Sequence, residues 1–263
     1  MSAFIRIFKT LSIVLDNEII PSDTQLAPYV SMPEISTVKT PTAALKEWAI
    51  VCKALEEGRQ LILLRKGGIV EYRQGFEVKH RTFLLYPTFE HQSKDLLQPD
   101  FANILDLVLM QRASENGRNK ITSFAVVVHV KELLDKAVIA RLGKYHIWND
   151  RYLAKRVSYN PGKPLTLLVL RVYNMSNPIV VVGRPELAGC KSWIPIELLL
   201  PNTESRGRDK GLGQEYSKYN NNNNSNKSDQ YVLAGKTMTT NCRPVLSDSK
   251  FKEITCELLE VLN

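Results

Sequence analysis

The chain has 263 residues, 44% of them hydrophobic, and a formal net charge of +8. This hydrophobic content is sufficient for a buried core, and the positive charge favours a polyanionic partner such as nucleic acid. The four cysteines are widely spaced, which argues against a disulfide framework or a zinc site and predicts a reducing, cytoplasmic environment. No apolar run is long enough to span a bilayer. The sequence contains no cofactor or metal signature, so neither group is expected.

Residues 1–39 are predicted to form an N-terminal amphipathic helix followed by a proline-rich linker. Apolar residues recur at helical spacing near the start, at Phe4, Ile7, Phe8, Leu11 and Leu15. Arg6 and Lys9 interrupt this stretch, which argues against a secretory signal. Such a helix packs on its own domain or on a protein partner, or it lies on a membrane surface.

The first element of the predicted core is a helix. Thr40 can cap it, Pro41 suits its first position, and Gly58 suits a left-handed residue just after its end. Apolar residues recur at helical spacing in between, at Leu45, Trp48, Ala49, Cys52 and Leu55. Lys46 and Glu47 are expected to face water on the opposite side.

Two apolar runs after this helix predict strands that are buried on both faces. The runs are residues 61–64 and 83–86, and Pro87 is expected to end the second. The remaining predicted elements are a helix over 99–110, a strand over 121–130, a helix over 131–142, a short basic helix after Asn149, and strands over 165–173, 179–182 and 193–200. Together they predict one α+β domain over residues 40–200, with a twisted, partly closed mixed β-sheet flanked by helices.

The C-terminal part changes in composition. Residues 201–230 are rich in Asn, Ser, Gly and charge, and they offer too little apolar surface to offset the entropy of ordering, so a disordered linker is predicted. Residues 231–263 are predicted to be a C-terminal helical segment. Its helix over 248–262 is expected to dock onto the core through its apolar side.

Seven phrases resemble a bacterial family catalogued as domain of unknown function 1802. They are ALKEWA at 44–49, ALEEGRQ at 54–60, LLRKGGI at 63–69, LYPTFEHQ at 85–92, HIW at 146–148, PLTLLVLRVY at 164–173 and GCKSW at 189–193. The resemblance covers roughly residues 42–198 and implies no established activity.

A second resemblance rests on one shorter segment. A helix that ends in Gly-Arg-Gln at 58–60 and leads into a strand ending in Arg65-Lys66 is similar to the opening of the ASCH branch of PUA-like domains. Those domains are small β-barrels associated with RNA. This resemblance implies a PUA-like barrel as one form of the sheet, and RNA binding as a function.

Cations and aromatic residues are interleaved between residues 141 and 191. This segment holds nine Lys or Arg residues and two carboxylates, so it carries a surplus of seven positive charges. Cations hold phosphates and aromatic rings stack on bases, so a single-stranded nucleic acid or an extruded base is the expected ligand. The alternative is a solvated basic face whose aromatic rings belong to the core. The predicted nucleic-acid-binding residues are Arg65, Lys66, His91, His146, Trp148, Arg151, Lys155 and Arg156, and the polar phrase Glu90-His91-Gln92 is expected to line the same pocket.

Two other functions remain open. Glu77 and Lys79 have the Glu-x-Lys spacing of metal-dependent nucleases of restriction and defence systems, where a carboxylate and a lysine meet Mg²⁺ and the attacking water. That site needs a second acidic ligand, for which Glu57 or Glu71 is available, and magnesium is expected only in this case. A solvated strand face is the more common reason for such spacing. The third hypothesis is a protein-interaction module that recruits partners through the N-terminal helix or the tail.

Overall fold

The computed structural model describes residues 12–15, 18–21, 41–66, 76–114, 118–199 and 242–263. The strands are β1 Ser12–Leu15, β2 Glu18–Pro21, β3 Ala43–Trp48, β4 Ile62–Arg65, β5 Thr82–Thr88, β6 Asn119–Leu133, β7 Leu165–Val181, β8 Trp193–Pro195 and β9 Cys242–Pro244. The α-helices are α1 Ala49–Glu56, α2 Pro99–Ser114, α3 Lys136–Ala140, α4 Asp150–Ser158 and α5 Asp248–Leu262. The predicted Asn-rich linker lies outside the described residues.

Strands β3 to β9 form one seven-stranded sheet in the order β4-β7-β6-β5-β3-β8, with β9 paired to β7. The pairing of β3 with β5 is parallel, and the other ladders of this sheet are antiparallel. The predicted α+β fold with a mixed sheet flanked by helices is confirmed. Among the described residues no ladder joins the end strands β4 and β8, so the sheet is open and does not close into a barrel.

Both faces of the sheet are covered. On β5, Phe83 and Leu85 belong to a large apolar cluster that includes the helices, whereas Leu84 and Tyr86 belong to a smaller cluster on the other face. Successive side chains of a strand point to opposite faces. An uninterrupted apolar run is therefore what a strand covered on both faces requires, and the predicted buried strand is confirmed.

The C-terminal helix α5 docks onto the core, as predicted. Phe251 and Leu258 are buried in the large cluster. Arg171 on β7 is 2% exposed, and its Nη2 lies 2.6 Å from Oδ1 of Asp248, the first residue of α5. In the described parts of the chain, no helix is long and apolar enough to cross a membrane.

The predicted N-terminal helix is not formed by the residues of this region that the structure describes. Ser12–Leu15 and Glu18–Pro21 are instead paired as an antiparallel two-stranded sheet. The β-branched residues Ile13, Val14 and Ile19 favour extended backbone because their side chains lose freedom in a helix. The first 11 residues lie outside the described part.

The first core helix begins later than predicted. Residues Ala43–Trp48 form β3, and α1 spans Ala49–Glu56. The pairing of β3 with β5 on one side and β8 on the other satisfies its backbone and makes it an inner strand. Such pairing partners are distant in sequence and override a local helical pattern. The predicted end at Gly58 is confirmed, since this residue has φ +70°.

Other element boundaries also differ from the predictions. The strands predicted over 165–173 and 179–182 are one 17-residue strand, residues 165–181, because β6 pairs along its length. Strand β6 itself continues to Leu133, so the helix predicted over 131–142 is reduced to α3 and a short 3-10 turn. The strand predicted over 193–200 ends at Pro195 and continues as a 3-10 turn. Pro87 was predicted to end the strand over 83–86 but lies inside β5. The hydrogen-bond ladder from β5 to β6 ends at Leu84, so the missing N–H of Pro87 removes no hydrogen bond from that ladder.

Candidate nucleic-acid interface

The junction between β3 and α1 is the centre of the candidate site. Oε2 of Glu47 lies 2.7 Å from Nη1 of Arg65, the last residue of β4. The Oε1 atom accepts a hydrogen bond from the backbone N–H of Trp48 at 2.8 Å. The Glu47 side chain is 7% exposed and that of Arg65 is 14% exposed. The carboxylate predicted to face water is therefore buried, and it holds Arg65 in place.

The loop after β5 reaches the same junction. Because β3 and β5 are parallel and Trp48 lies opposite Thr88, the ends of both strands meet at one edge of the sheet. Gln92 Oε1 accepts a hydrogen bond from the backbone N–H of Ile50 at 3.0 Å, which caps the first turn of α1. His91 is exposed and has φ +60°. The predicted Glu90-His91-Gln92 segment thus lies at the start of α1.

Helix α4 forms the third side of the junction. Two glutamines position the chain that leads into it. The Nε2 atom of Gln98 donates to the carbonyls of Gly143 and His146 at 2.9 Å each, and to that of Trp148 at 3.2 Å. The Oε1 atom of Gln60 accepts a hydrogen bond from the Ile147 N–H at 3.2 Å. The Asn149 side chain then caps α4 by accepting from the backbone N–H of Tyr152 at 3.1 Å.

Aromatic rings connect α4 to the junction. The rings of Trp148 and Tyr152 stack at a centroid distance of 4.6 Å, and Trp48 meets Tyr152 edge-on at 5.9 Å. Arg156 donates from Nε to the Tyr152 hydroxyl at 2.9 Å, and burial raises the pKa of that hydroxyl. The predicted pocket consists of the Arg65-Lys66 turn, Glu90-His91-Gln92 and the segment 146–148. Arg65 and Gln92 contact the β3–α1 junction directly, and the segment 146–148 is connected to it through Tyr152.

Two predicted binding residues are not accessible. Trp148 is 1% exposed and His146 is 2% exposed. Burial lowers the pKa of His146 to about 4, so the ring is neutral at pH 7. A nucleic-acid base cannot stack on Trp148 in this conformation, because Tyr152 covers its face. Trp48, in contrast, is half-buried and not fully covered.

The predicted binding cations differ in how far their side chains are exposed to solvent. Arg151 and Lys155 are exposed on α4, and Arg151 Nη1 lies 2.7 Å from Asp95 Oδ2. Arg156 is half-buried, one residue before Val157. Lys66 is 4% exposed and donates to the Val157 carbonyl at 2.8 Å. Burial lowers the pKa of Lys66.

Glu47 and Trp48 are the site residues that the sequence prediction missed. Both were assigned to a helix, with Trp48 in its apolar stripe and Glu47 facing water. The local sequence contains no signal for a strand at this point, because Thr40 and Pro41 suit the start of a helix. Only the pairing of β3 with β5 and β8 distinguishes this arrangement from a longer helix.

The nuclease candidates lie apart from any strand. Glu77 Oε2 and Lys79 Nζ are 3.7 Å apart, with side chains 62% and 48% exposed. In the part of the chain that the structure describes, no group of three or more His, Cys, Asp or Glu residues could hold a metal ion. Of the proposed second ligands, Glu57 pairs with Lys53 at 3.1 Å, and Glu71 lies outside the described residues.

Comparisons with known proteins give a family but no activity. No curated protein matches the chain. A solved structure, the crystal structure of a mutant of the ZmASCH protein from Zymomonas mobilis, is similar at 14% identity and a TM-score of 0.28, over 50% of this chain and 70% of that one. No residue role transfers across so distant a likeness. The family model described as Domain of unknown function (DUF1802) matches residues 44–207, which is more than half of the chain, so the protein belongs to that family.

Proposed function

We propose that the protein is a nucleic-acid-binding module that takes RNA, or single-stranded or modified DNA, and performs no catalysis on it. The observation that carries this proposal is the position of two exposed cations, Arg151 and Lys155, on a helix that packs on the half-buried ring of Trp48. Cations neutralise backbone phosphates, and an accessible aromatic face stacks on a base of any sequence.

The geometry of α4 supports phosphate contacts at two successive positions. Arg151 and Lys155 are four residues apart, so they lie on one side of the helix. Asp95, which pairs with Arg151, is itself exposed. An exposed ion pair contributes little to stability, so a phosphate can replace the Asp95 carboxylate at small cost.

The test is a fluorescence-anisotropy titration of labelled single-stranded RNA, single-stranded DNA and duplex DNA at several salt concentrations. Binding is expected to weaken with salt, because each phosphate that a cation neutralises releases condensed counterions. In the Arg151→Ala/Lys155→Ala variant, the slope of log affinity against log salt should shrink by roughly 1.4 for single strands, at about 0.7 per contact.

A matched control removes two cations elsewhere. Lys53 and Lys250 are exposed, and each pairs with a carboxylate three or four residues later in the chain. The Lys53→Ala/Lys250→Ala variant has the same net charge as the α4 variant and is expected to keep the wild-type slope. If the wild-type protein binds none of the nucleic acids at low salt, or if both double variants lose the same slope, the proposal fails.

A further inference from the structure

Two arginines from distant parts of the chain point to a more specific ligand. Arg65 and Arg156, here called the arginine pair, both belong to the β3–α1 junction. The guanidinium of Arg65 is held by Glu47 Oε2 at 2.7 Å and lies over the Phe76 ring at 5.1 Å. The guanidinium of Arg156 is held by the Tyr152 hydroxyl and lies over that ring at 5.1 Å. Each planar group is therefore oriented before any ligand arrives.

The arginine pair keeps unused hydrogen-bond donors. Among the described residues, Arg156 donates through Nε to Tyr152, and Arg65 donates through Nη1 to Glu47 and to the Lys46 carbonyl. The terminal nitrogens of Arg156 have no acceptor in that part of the chain. A guanidinium whose orientation is already held loses little freedom on binding, and its parallel N–H groups match two oxygens of a phosphate.

The charges of the junction do not balance. Arg65, Arg156 and Lys66 bring three positive charges. In the described residues, Glu47 pairs with Arg65, whereas Lys66 donates to the Val157 carbonyl and Arg156 to the Tyr152 hydroxyl, both of which are neutral. A surplus of two positive charges at a half-buried site favours an anion that carries about two negative charges. A phosphate monoester carries about −1.5 to −2 at pH 7, whereas a phosphodiester inside a strand carries a single negative charge.

We propose that the arginine pair binds the terminal phosphate monoester of a nucleic-acid strand, with the adjacent base against the half-buried ring of Trp48. This inference rests on the proposed nucleic-acid function and specifies its substrate as a strand with a phosphorylated end. The exposed cations Arg151 and Lys155 would then hold internal phosphates of the same strand. The contact to Tyr152 makes Arg156 part of the same aromatic cluster that Trp48 joins.

The experiment compares oligonucleotides of one sequence that end in a 5′-phosphate, a 3′-phosphate or a hydroxyl at both ends. Binding is measured by anisotropy at one salt concentration and at pH 7.5. The wild-type protein is expected to bind one phosphorylated form about tenfold more tightly than the hydroxyl form, the ratio that one good charge-assisted contact provides. The preference should weaken below pH 6, where the monoester gains a proton.

Variants connect the preference to the arginine pair. Arg156→Met should abolish the preference for a phosphorylated end, and Arg156→Lys, which keeps the charge but not the planar group, should reduce it. Lys250→Met removes a cation on α5 and should leave the preference unchanged. Thermal unfolding of each variant establishes that it is folded. A preference that survives in a folded Arg156→Met protein overturns the inference.

The remaining outcomes separate this inference from the proposed function. Equal binding of all three oligonucleotides, with a normal salt dependence, overturns the phosphate subsite and leaves nucleic-acid binding in place. If no oligonucleotide binds, the proposed function fails. In that case, calorimetry with a nucleoside monophosphate, the matching nucleoside and inorganic phosphate tests the phosphate subsite by itself. A heat of binding for the monophosphate that disappears in Arg156→Met supports the subsite, and the absence of any heat of binding overturns it.

Discussion

Arg65 lies on β4 and Glu47 on β3, and three other strands lie between β4 and β3 in the sheet. Their side chains nevertheless form an ion pair with an N–O distance of 2.7 Å. In a flat sheet, four steps between neighbouring strands would place them roughly 19 Å apart. An arginine and a glutamate side chain cannot span that distance. The sheet is therefore strongly curved, and this pair joins its two sides without closing the backbone ladder.

The Glu47–Arg65 pair should be important for stability. Glu47→Gln leaves the mostly buried Arg65 without a counter-charge, so the free energy of unfolding should fall by about 3 kcal/mol, as for other broken buried pairs. The double variant Glu47→Gln/Arg65→Met should recover part of this loss, since it removes the uncompensated charge. Urea unfolding measures both. Glu257→Gln breaks the exposed pair with Lys144 and should have little effect. Equal stability of Glu47→Gln and wild type would contradict the prediction.

The two tryptophans of the site should behave differently. Trp48→Ala should weaken nucleic-acid binding by about 1–3 kcal/mol through lost stacking and leave the salt slope unchanged. Trp148→Ala should instead lower the free energy of unfolding by about 3–5 kcal/mol, because it removes a buried ring. Anisotropy titration and urea unfolding of both variants separate the two effects. A Trp48→Ala protein with wild-type affinity would show that this ring does not contact a base.

Stability should depend on pH through His146. Burial lowers the pKa of this ring from 6.5 to about 4 in the folded protein, and the opposing effect of Asp150 is smaller. Between these values the unfolded state binds more protons, so the free energy of unfolding falls as the pH falls through this range, by about 3 kcal/mol in total. Burial also lowers the pKa of His129, which acts in the same direction.

Urea unfolding at several pH values tests this dependence. The slope between pH 6.5 and 4 should be smaller in His146→Asn than in the wild-type protein. His91→Gln replaces an exposed histidine and serves as the control. If His146→Asn keeps the full pH dependence, burial of this histidine is not its source.

Gly58 should not tolerate a side chain. Its φ is +70°, and a Cβ there would lie 2.7 Å from Cδ2 of Leu246, in the turn before α5. Gly58→Ala should therefore lower the thermal unfolding midpoint, with a backbone contribution of about 1–2 kcal/mol and a further steric contribution. Gly143→Ala is the matched control, because a Cβ at that position meets nothing within 4 Å. Equal midpoints for the two variants would contradict the prediction.

Several features were predicted from the sequence because their causes are local. Gly58 ends α1 because a positive φ favours glycine. The helix after Asn149 begins there because the Asn side chain caps it. The apolar runs at 61–64 and 83–86 contain no polar residue that an exposed strand face would need, so burial on both faces followed directly from composition.

Tertiary structure alone decided the geometry of the candidate site. Residues 43–48 match a helical pattern, and only pairing with β5 and β8, whose residues are distant in sequence, makes them a strand. That change turns Glu47 inward to meet Arg65, and it places Trp48 at the surface next to α4. Trp148 and His146 were assigned to the pocket by residue type, but the stacking of Tyr152 and the packing around α4 bury them. Side-chain accessibility depends on contacts between distant segments, which a local pattern does not specify.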